Sequence, residues 1–167
     1  ECHNISLSGL TMGHTEIGEC NGNVLDFYGC RNINLSAMDL YGCGVYGIGC
    51  FDGTGELYAY GSTIRDCSSG ALQIGNGNGR FEFHNCMLTG SEGFDCYEPT
   101  HYSELAFYEC VFGDNETSYY MFHDDVYTED CVWSENYIYP EYGYEEEGPV
   151  FHPETMKSAV VDQELLE

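Results

Sequence analysis

Cys30-Arg31-Asn32-Ile33-Asn34-Leu35 repeats the pattern of Cys2-His3-Asn4-Ile5-Ser6-Leu7 from 28 residues earlier. Both read Cys-x-Asn-Ile-x-Leu. Leu57 follows in step, and the pair Ile33/Leu35 recurs as Phe81/Phe83 and Leu105/Phe107, in steps of 24 residues from Ile33 onward. A weaker copy, Val126/Thr128, comes after a step of 21. A second column moves with the first: Leu10/Met12, Met38/Leu40, Ser62/Ile64, Cys86/Leu88, Cys110/Phe112 and Cys131/Trp133, with steps of 28, 24, 24, 24 and 21. A third segment is looser. It comprises Val24-Leu25-Asp26-Phe27, Val45-Tyr46-Gly47-Ile48, Ala71-Leu72-Gln73-Ile74, Phe94-Asp95-Cys96 and Tyr120-Met121-Phe122.

Each repeat therefore holds three short strands whose apolar residues alternate with polar ones, so that one side points inward. Gly, Asn, Asp and Ser separate them, as in Gly75-Asn76-Gly77-Asn78-Gly79. Strands this short cannot bury a face alone, but stacked coils bury a continuous core. An antiparallel sandwich also has strands every 8–12 residues or so, yet it does not lock two columns to one step. The expected fold is all-β: a right-handed parallel β-helix, a solenoid of roughly five to six coils with about 24 residues per coil. Coils are expected over residues 1–136, and a Tyr-rich acidic cap or tail over 137–167. A helical period is sustained only around Glu154 to Leu166. The chain opens inside a coil, which predicts a longer parent protein.

The chain resembles the right-handed parallel β-helix repeat proteins of the pectate-lyase-like superfamily, in particular secreted or surface proteins of gut-type bacteria. The residues that carry this are His14, Gly18-Glu19-Cys20-Asn21-Gly22-Asn23-Val24-Leu25, Cys30-Arg31-Asn32-Ile33 and Leu40-Tyr41-Gly42-Cys43-Gly44-Val45-Tyr46-Gly47-Ile48. The likeness spans roughly residues 2–135. These motifs belong to the repeat, so they speak for fold and hardly at all for activity.

Composition narrows the partners. The chain has 29 acidic and 4 basic residues, a formal charge of −25. Nucleic acid needs Lys and Arg to displace counterions, and anionic membranes attract the same residues. Neither fits. No apolar run approaches the roughly 18 residues of a membrane span. A hydrophobic fraction of 43%, with 15 Tyr and 9 Phe, favours a packed domain over disorder. The partners that remain are cations and a polysaccharide or cell-surface glycan.

The superfamily includes polysaccharide lyases and glycoside hydrolases, so catalysis must be weighed. The cations are Arg31, Arg65, Arg80 and Lys157, with no evident cluster, and the net charge repels a polyuronate. His123-Asp124-Asp125 supplies a paired Asp to set beside a hydrolase, without its companion motifs. No set combining an acid, a base and a cation is visible at stackable positions. The expected role is an extracellular module, secreted or cell-surface, that binds glycans or serves surface display without catalysis. A lyase or hydrolase and a structural spacer are the alternatives.

Two further groups stand out. Cys86, Cys110 and Cys131 should form an inward ladder of structural thiols, because in-register neighbours aim their Cβ atoms alike and fit a bridge poorly. Cys43 and Cys67 stack near a corner and are the better candidates for a disulfide. A corner column carries Asp52, then Asn76 and Asn78, then Glu98 and His101, then His123, Asp124 and Asp125. Such oxygen ligands suit Ca²⁺, and the His residues would suit Zn²⁺. Turn chemistry explains the same residues without a metal. An ion held there would stabilise only the folded state. Millimolar Ca²⁺ should then raise the melting temperature beyond a matched NaCl control. Replacing Asp124 and Asp125 by Asn should remove the excess, and equal shifts in both salts would discard the metal.

Overall fold

The computed structural model describes residues 1–15, 21–42, 45–76, 78–91, 104–118, 126–134 and 137–139. Among them the chain forms strands and turns and no helix. Strands are numbered along the chain. The first sheet contains β1 (His3–Ser8), β4 (Arg31–Ser36), β7 (Gly55–Tyr60), β10 (Arg80–His84), β12 (Glu104–Tyr108) and β15 (Val126–Glu129), stacked in that order. The second contains β2 (Thr11–Gly13), β5 (Asp39–Tyr41), β8 (Thr63–Arg65), β11 (Met87–Thr89), β13 (Val111–Gly113) and β16 (Val132–Ser134). The third contains β3 (Leu25–Tyr28), β6 (Tyr46–Phe51) and β9 (Gly70–Ile74). A short pair, β14 (Glu116–Ser118) and β17 (Tyr137–Tyr139), completes the set. Every pairing is parallel, and the chain is a β-solenoid with about 24 residues between stacked turns.

The two repeat columns become registers. Ile33 faces Leu57, Leu57 faces Phe81 and Phe81 faces Leu105 across the first sheet. Leu57, Phe81 and Leu105 are buried, at 0%, 0% and 3% exposure. On the second sheet Leu40, Ile64, Leu88 and Phe112 stack in the same manner, each fully buried. Phe83 and Phe107 stack 5.2 Å apart, and Phe112 meets Phe107 edge-on, so aromatic volume fills the middle coils.

Two details differ from the sequence reading. About four turns are described rather than five to six. Both long sheets carry six strands, but the third face is described on three. Phe94-Asp95-Cys96 and Tyr120-Met121-Phe122, where the repeat places its later strands, lie outside the described residues. Within the third sheet, Leu25 pairs with Ile48 rather than Tyr46. A slip of two residues preserves the alternation, so pattern alone does not detect it.

The coils turn through columns of left-handed backbone. Between the first and second sheets, Gly9, Ala37, Gly61, Asn85, Glu109 and Asp130 all have φ between 50° and 65°. Their amides bond along the column, as in Ala37 N to Tyr60 O at 3.0 Å and Asn85 N to Tyr108 O at 2.9 Å. Between the second and third sheets the column is Gly42, Asp66, Gly90 and Asp114. Of the eleven non-glycine residues with positive φ, eight are Asn or Asp, whose short side chains tolerate this region. That leaves Ala37, Glu56 and Glu109 as strained positions.

A prediction follows at Ala37. Glycine there removes about 1–2 kcal/mol of left-handed strain while adding about 0.4–1 kcal/mol of unfolded-state freedom. Ala37→Gly should therefore raise stability by roughly 1 kcal/mol in urea titration. Gly61→Ala, at φ 52° with nothing within 4 Å of the added methyl, should lower it by a similar amount. No change in either variant would show that the corners carry no strain.

Candidate functional site on the outer face of the first sheet

From the third coil on, the residue after the left-handed corner between the first two sheets points inward and bonds back across the turn. Cys86 and Cys110 place Sγ 3.4 Å from the carbonyls of His84 and Tyr108, two residues back. Cys131 does so at 3.5 Å on Glu129, and Ser62 Oγ donates to Tyr60 O at 3.0 Å. Cys110 also reaches the Phe83 carbonyl of the previous coil at 3.3 Å, and Cys131 reaches Phe107 O at 3.5 Å. These three thiols are buried, at 1%, 0% and 0% exposure, and sit free of disulfides. The next corner uses Cys67, Ser91 and Asn115. Ser91 Oγ accepts the Cys67 amide at 3.3 Å, Asn115 Oδ1 accepts the Ser91 amide at 3.1 Å, and Asn115 Nδ2 donates to Leu88 O at 2.7 Å. Asn115 is thereby committed to the fold, at 1% exposure, although it opens a glycosylation-like triplet.

The remaining sequence candidates fare differently. Glu98, His101, His123, Asp124, Asp125 and Cys43 lie outside the described residues. Of their companions in the corner column, Asp52 and Asn76 adopt φ of 54° and 55°, and Gly53 N donates to Asn76 O at 3.0 Å. On these coils the column acts as a turn. Among the described residues no three His, Cys, Asp or Glu side chains are placed to hold a metal ion.

The outer face of the first sheet gathers what the sequence reading missed. Arg80, Glu82 and His84 alternate along β10 and so share that face. Arg80 pairs with Glu82 Oε1, and His84 Nε2 lies 3.2 Å from Glu82 Oε2. The Glu82 side chain is only 10% exposed. An acid, a base and a cation thus do meet, contrary to the expectation from the sequence. That expectation looked across coils, whereas these three sit on one strand, where the alternation Arg-Phe-Glu-Phe-His already places them together.

Their arrangement is a brace. Both Glu82 oxygens are engaged, and Tyr108 and Glu82 raise the Arg80 pKa above its ordinary value by holding the guanidinium charged. His84 is sandwiched between Tyr60, at 4.9 Å and 15°, and Tyr108, at 4.6 Å and 8°. Tyr127, in register with Ala106 rather than Tyr108, leans toward the end of the column at 5.6 Å from Tyr108, tilted by 48°. Strands about 4.8 Å apart bring in-register rings to stacking distance. The rings therefore use their faces on one another and turn edges and hydroxyls outward. On the earlier coils the same register holds Ser36 and Ser8, with Ser36 Oγ donating to Ser8 Oγ at 2.8 Å. Beside them runs an amide chain, Asn34 Nδ2 to Asn32 Oδ1 at 3.3 Å and Asn32 Nδ2 to Asn4 Oδ1 at 2.5 Å.

On the second sheet's outer face Arg65 is fully engaged. Arg65 binds Asp39 through two nitrogens, at 3.0 and 3.2 Å, binds Asp66 at 2.9 Å and lies 4.5 Å over the Tyr41 ring. No protein-family model, curated protein or solved structure matches the chain.

The buried thiols generate a pH dependence. Burial, then the charges of Asp26 and Cys30, push the Cys50 pKa up. Bonds shared with Cys131 and Cys86 push Cys110 up and, by the same bonds, Cys86 and Cys131 down, so Cys50 carries the unshared shift. A raised folded pKa leaves stability intact below the ordinary thiol value of about 8.5 and lowers it above, where only the unfolded chain releases the proton. The slope is roughly 1.4 kcal/mol per pH unit for one such thiol, Cys50. Urea midpoints should fall steadily from pH 8.5 to 9.5, and the slope should be shallower in Cys50→Ala. A flat profile would contradict protonated core thiols.

Proposed function

We propose that this β-solenoid is a secreted or cell-surface module that binds a glycan without cleaving it, with the outer face of the first sheet as the contact surface. The resemblance to pectate-lyase-like repeat proteins of bacterial type supports that setting. The observation that carries the reading is the collection of exposed aromatic, hydroxyl and amide groups into columns one strand spacing apart on a single face. Tyr60 and Tyr127 are 46% and 42% exposed on it. Extended ligands suit such regular surfaces. The reading of no cleavage rests on the Arg80-Glu82-His84 brace, in which each charged group is paired with a neighbour on the same strand.

The test is retention of the purified protein on a panel of immobilised polysaccharides, with product analysis of the eluate. Retention without new reducing ends or unsaturated products is the expected result. Turnover abolished by Glu82→Gln would make it a lyase or hydrolase. Retention on no glycan would leave the spacer as the reading.

A further inference from the structure

The aromatic column of the first sheet stops at Tyr60. Its ring rests on His84 on one side. Because the two rings are inclined by only 15°, the opposite face of Tyr60 looks along the solenoid toward the preceding coils. The residues in register there are Ser36 and then Ser8. Neither has a side chain tall enough to cover a ring. The surface therefore drops from a standing aromatic wall to a polar shelf, and Tyr60 is 46% exposed at the step.

We propose that this step is a subsite for one neutral sugar ring of the bound glycan, which rests on our reading of the module as glycan-binding. A pyranose has an apolar face of axial C–H groups and a rim of hydroxyls. The exposed face of Tyr60 matches the first, since the π face is negative and favours polarised C–H groups. The shelf matches the second. The Ser8 hydroxyl accepts from Ser36 and keeps its own proton to donate, and Asn34 Oδ1 stands beside it as an acceptor while Nδ2 is held by Asn32. The outward position between wall and shelf on the neighbouring column is Tyr58, in register with Asn34.

Charge fixes the class of sugar. Arg80, the strand cation on the wall side, is already paired with Glu82, and Arg31 stands at the far end of β4, five residues from Ser36 and in register with Gly55, beside the exposed Glu56. A uronate or sialate carboxylate would find no unspent cation at the Tyr60–Ser36 step itself and would meet a chain of −25. A neutral hexose or pentose meets no such penalty.

The experiment measures affinity by calorimetry for neutral cello-, manno-, galacto- and xylo-oligosaccharides and for oligogalacturonate. The protein is compared with Tyr60→Ala, Tyr60→Phe, Tyr127→Ala and Ser36→Tyr. The last variant extends the ring column by one coil and covers the free face while keeping the fold. Binding of at least one neutral oligosaccharide is expected. Tyr60→Ala and Ser36→Tyr should each weaken it by about tenfold or more, in line with loss of a central aromatic contact. Tyr60→Phe should stay near the parent, and Tyr127→Ala should have a smaller effect than Tyr60→Ala. If a neutral sugar binds equally well to Ser36→Tyr and Tyr60→Ala, the subsite is wrong and the glycan-binding reading survives. Binding of oligogalacturonate alone overturns the neutral class. Binding of none of the probes overturns both the subsite and the reading on which it rests.

Discussion

Everything in this molecule depends on turning the chain through a sharp corner without leaving a buried amide or carbonyl unpaired. A single left-handed residue makes the corner, and its amide bonds to the carbonyl of the coil above. Stacking then forces every coil to adopt the same solution at the same register, so one backbone conformation becomes a column. The price is conformational strain wherever the residue is not Gly, Asn or Asp. At the later corners, though not at Ala37, the next residue compensates. Its thiol, hydroxyl or amide faces inward and closes on the carbonyls around the turn, as Cys86, Cys110, Ser62, Ser91 and Asn115 do. A cysteine there gives up little apolar burial while supplying a weak donor.

This explains which parts of the fold the sequence reveals. Registers such as Ile33 with Leu57 and Leu88 with Phe112 rest on apolar residues of fixed spacing, and the period exposes them directly. The third sheet is harder to read, because Gly47 and Gly49 leave few side chains to mark its phase, and a two-residue slip keeps the alternation. The corners are half legible. Asn85 and Asp130 advertise a left-handed turn, while Ala37 and Glu109 do not, since nothing local prefers that conformation for them. They are carried into it by the coils on either side.

The outer face was the least legible part. Tyr60, His84 and Tyr108 are 24 residues apart, like the core columns, but polar and aromatic residues on a solvent face blend into ordinary surface composition. Only the register shows that they touch. The Glu82 brace was missed for a different reason: its members share a strand rather than a column. Asp52 and Asn76 serve as turn residues on their coils, and sequence alone does not separate that role from ligation, because the side chains that tolerate a left-handed backbone are also oxygen donors.

One feature of the stacking has a mechanical meaning. The main-chain bonds between coils run along the solenoid axis, so tension applied between the two ends loads successive coils in series rather than all at once. Each coil that detaches frees about 24 residues. Extended, those reach about 80 Å. Held by its ends, the chain would lengthen in a staircase of such increments, and a force–extension trace would resolve them. Under load such a stack would give way step by step, as a shock absorber does.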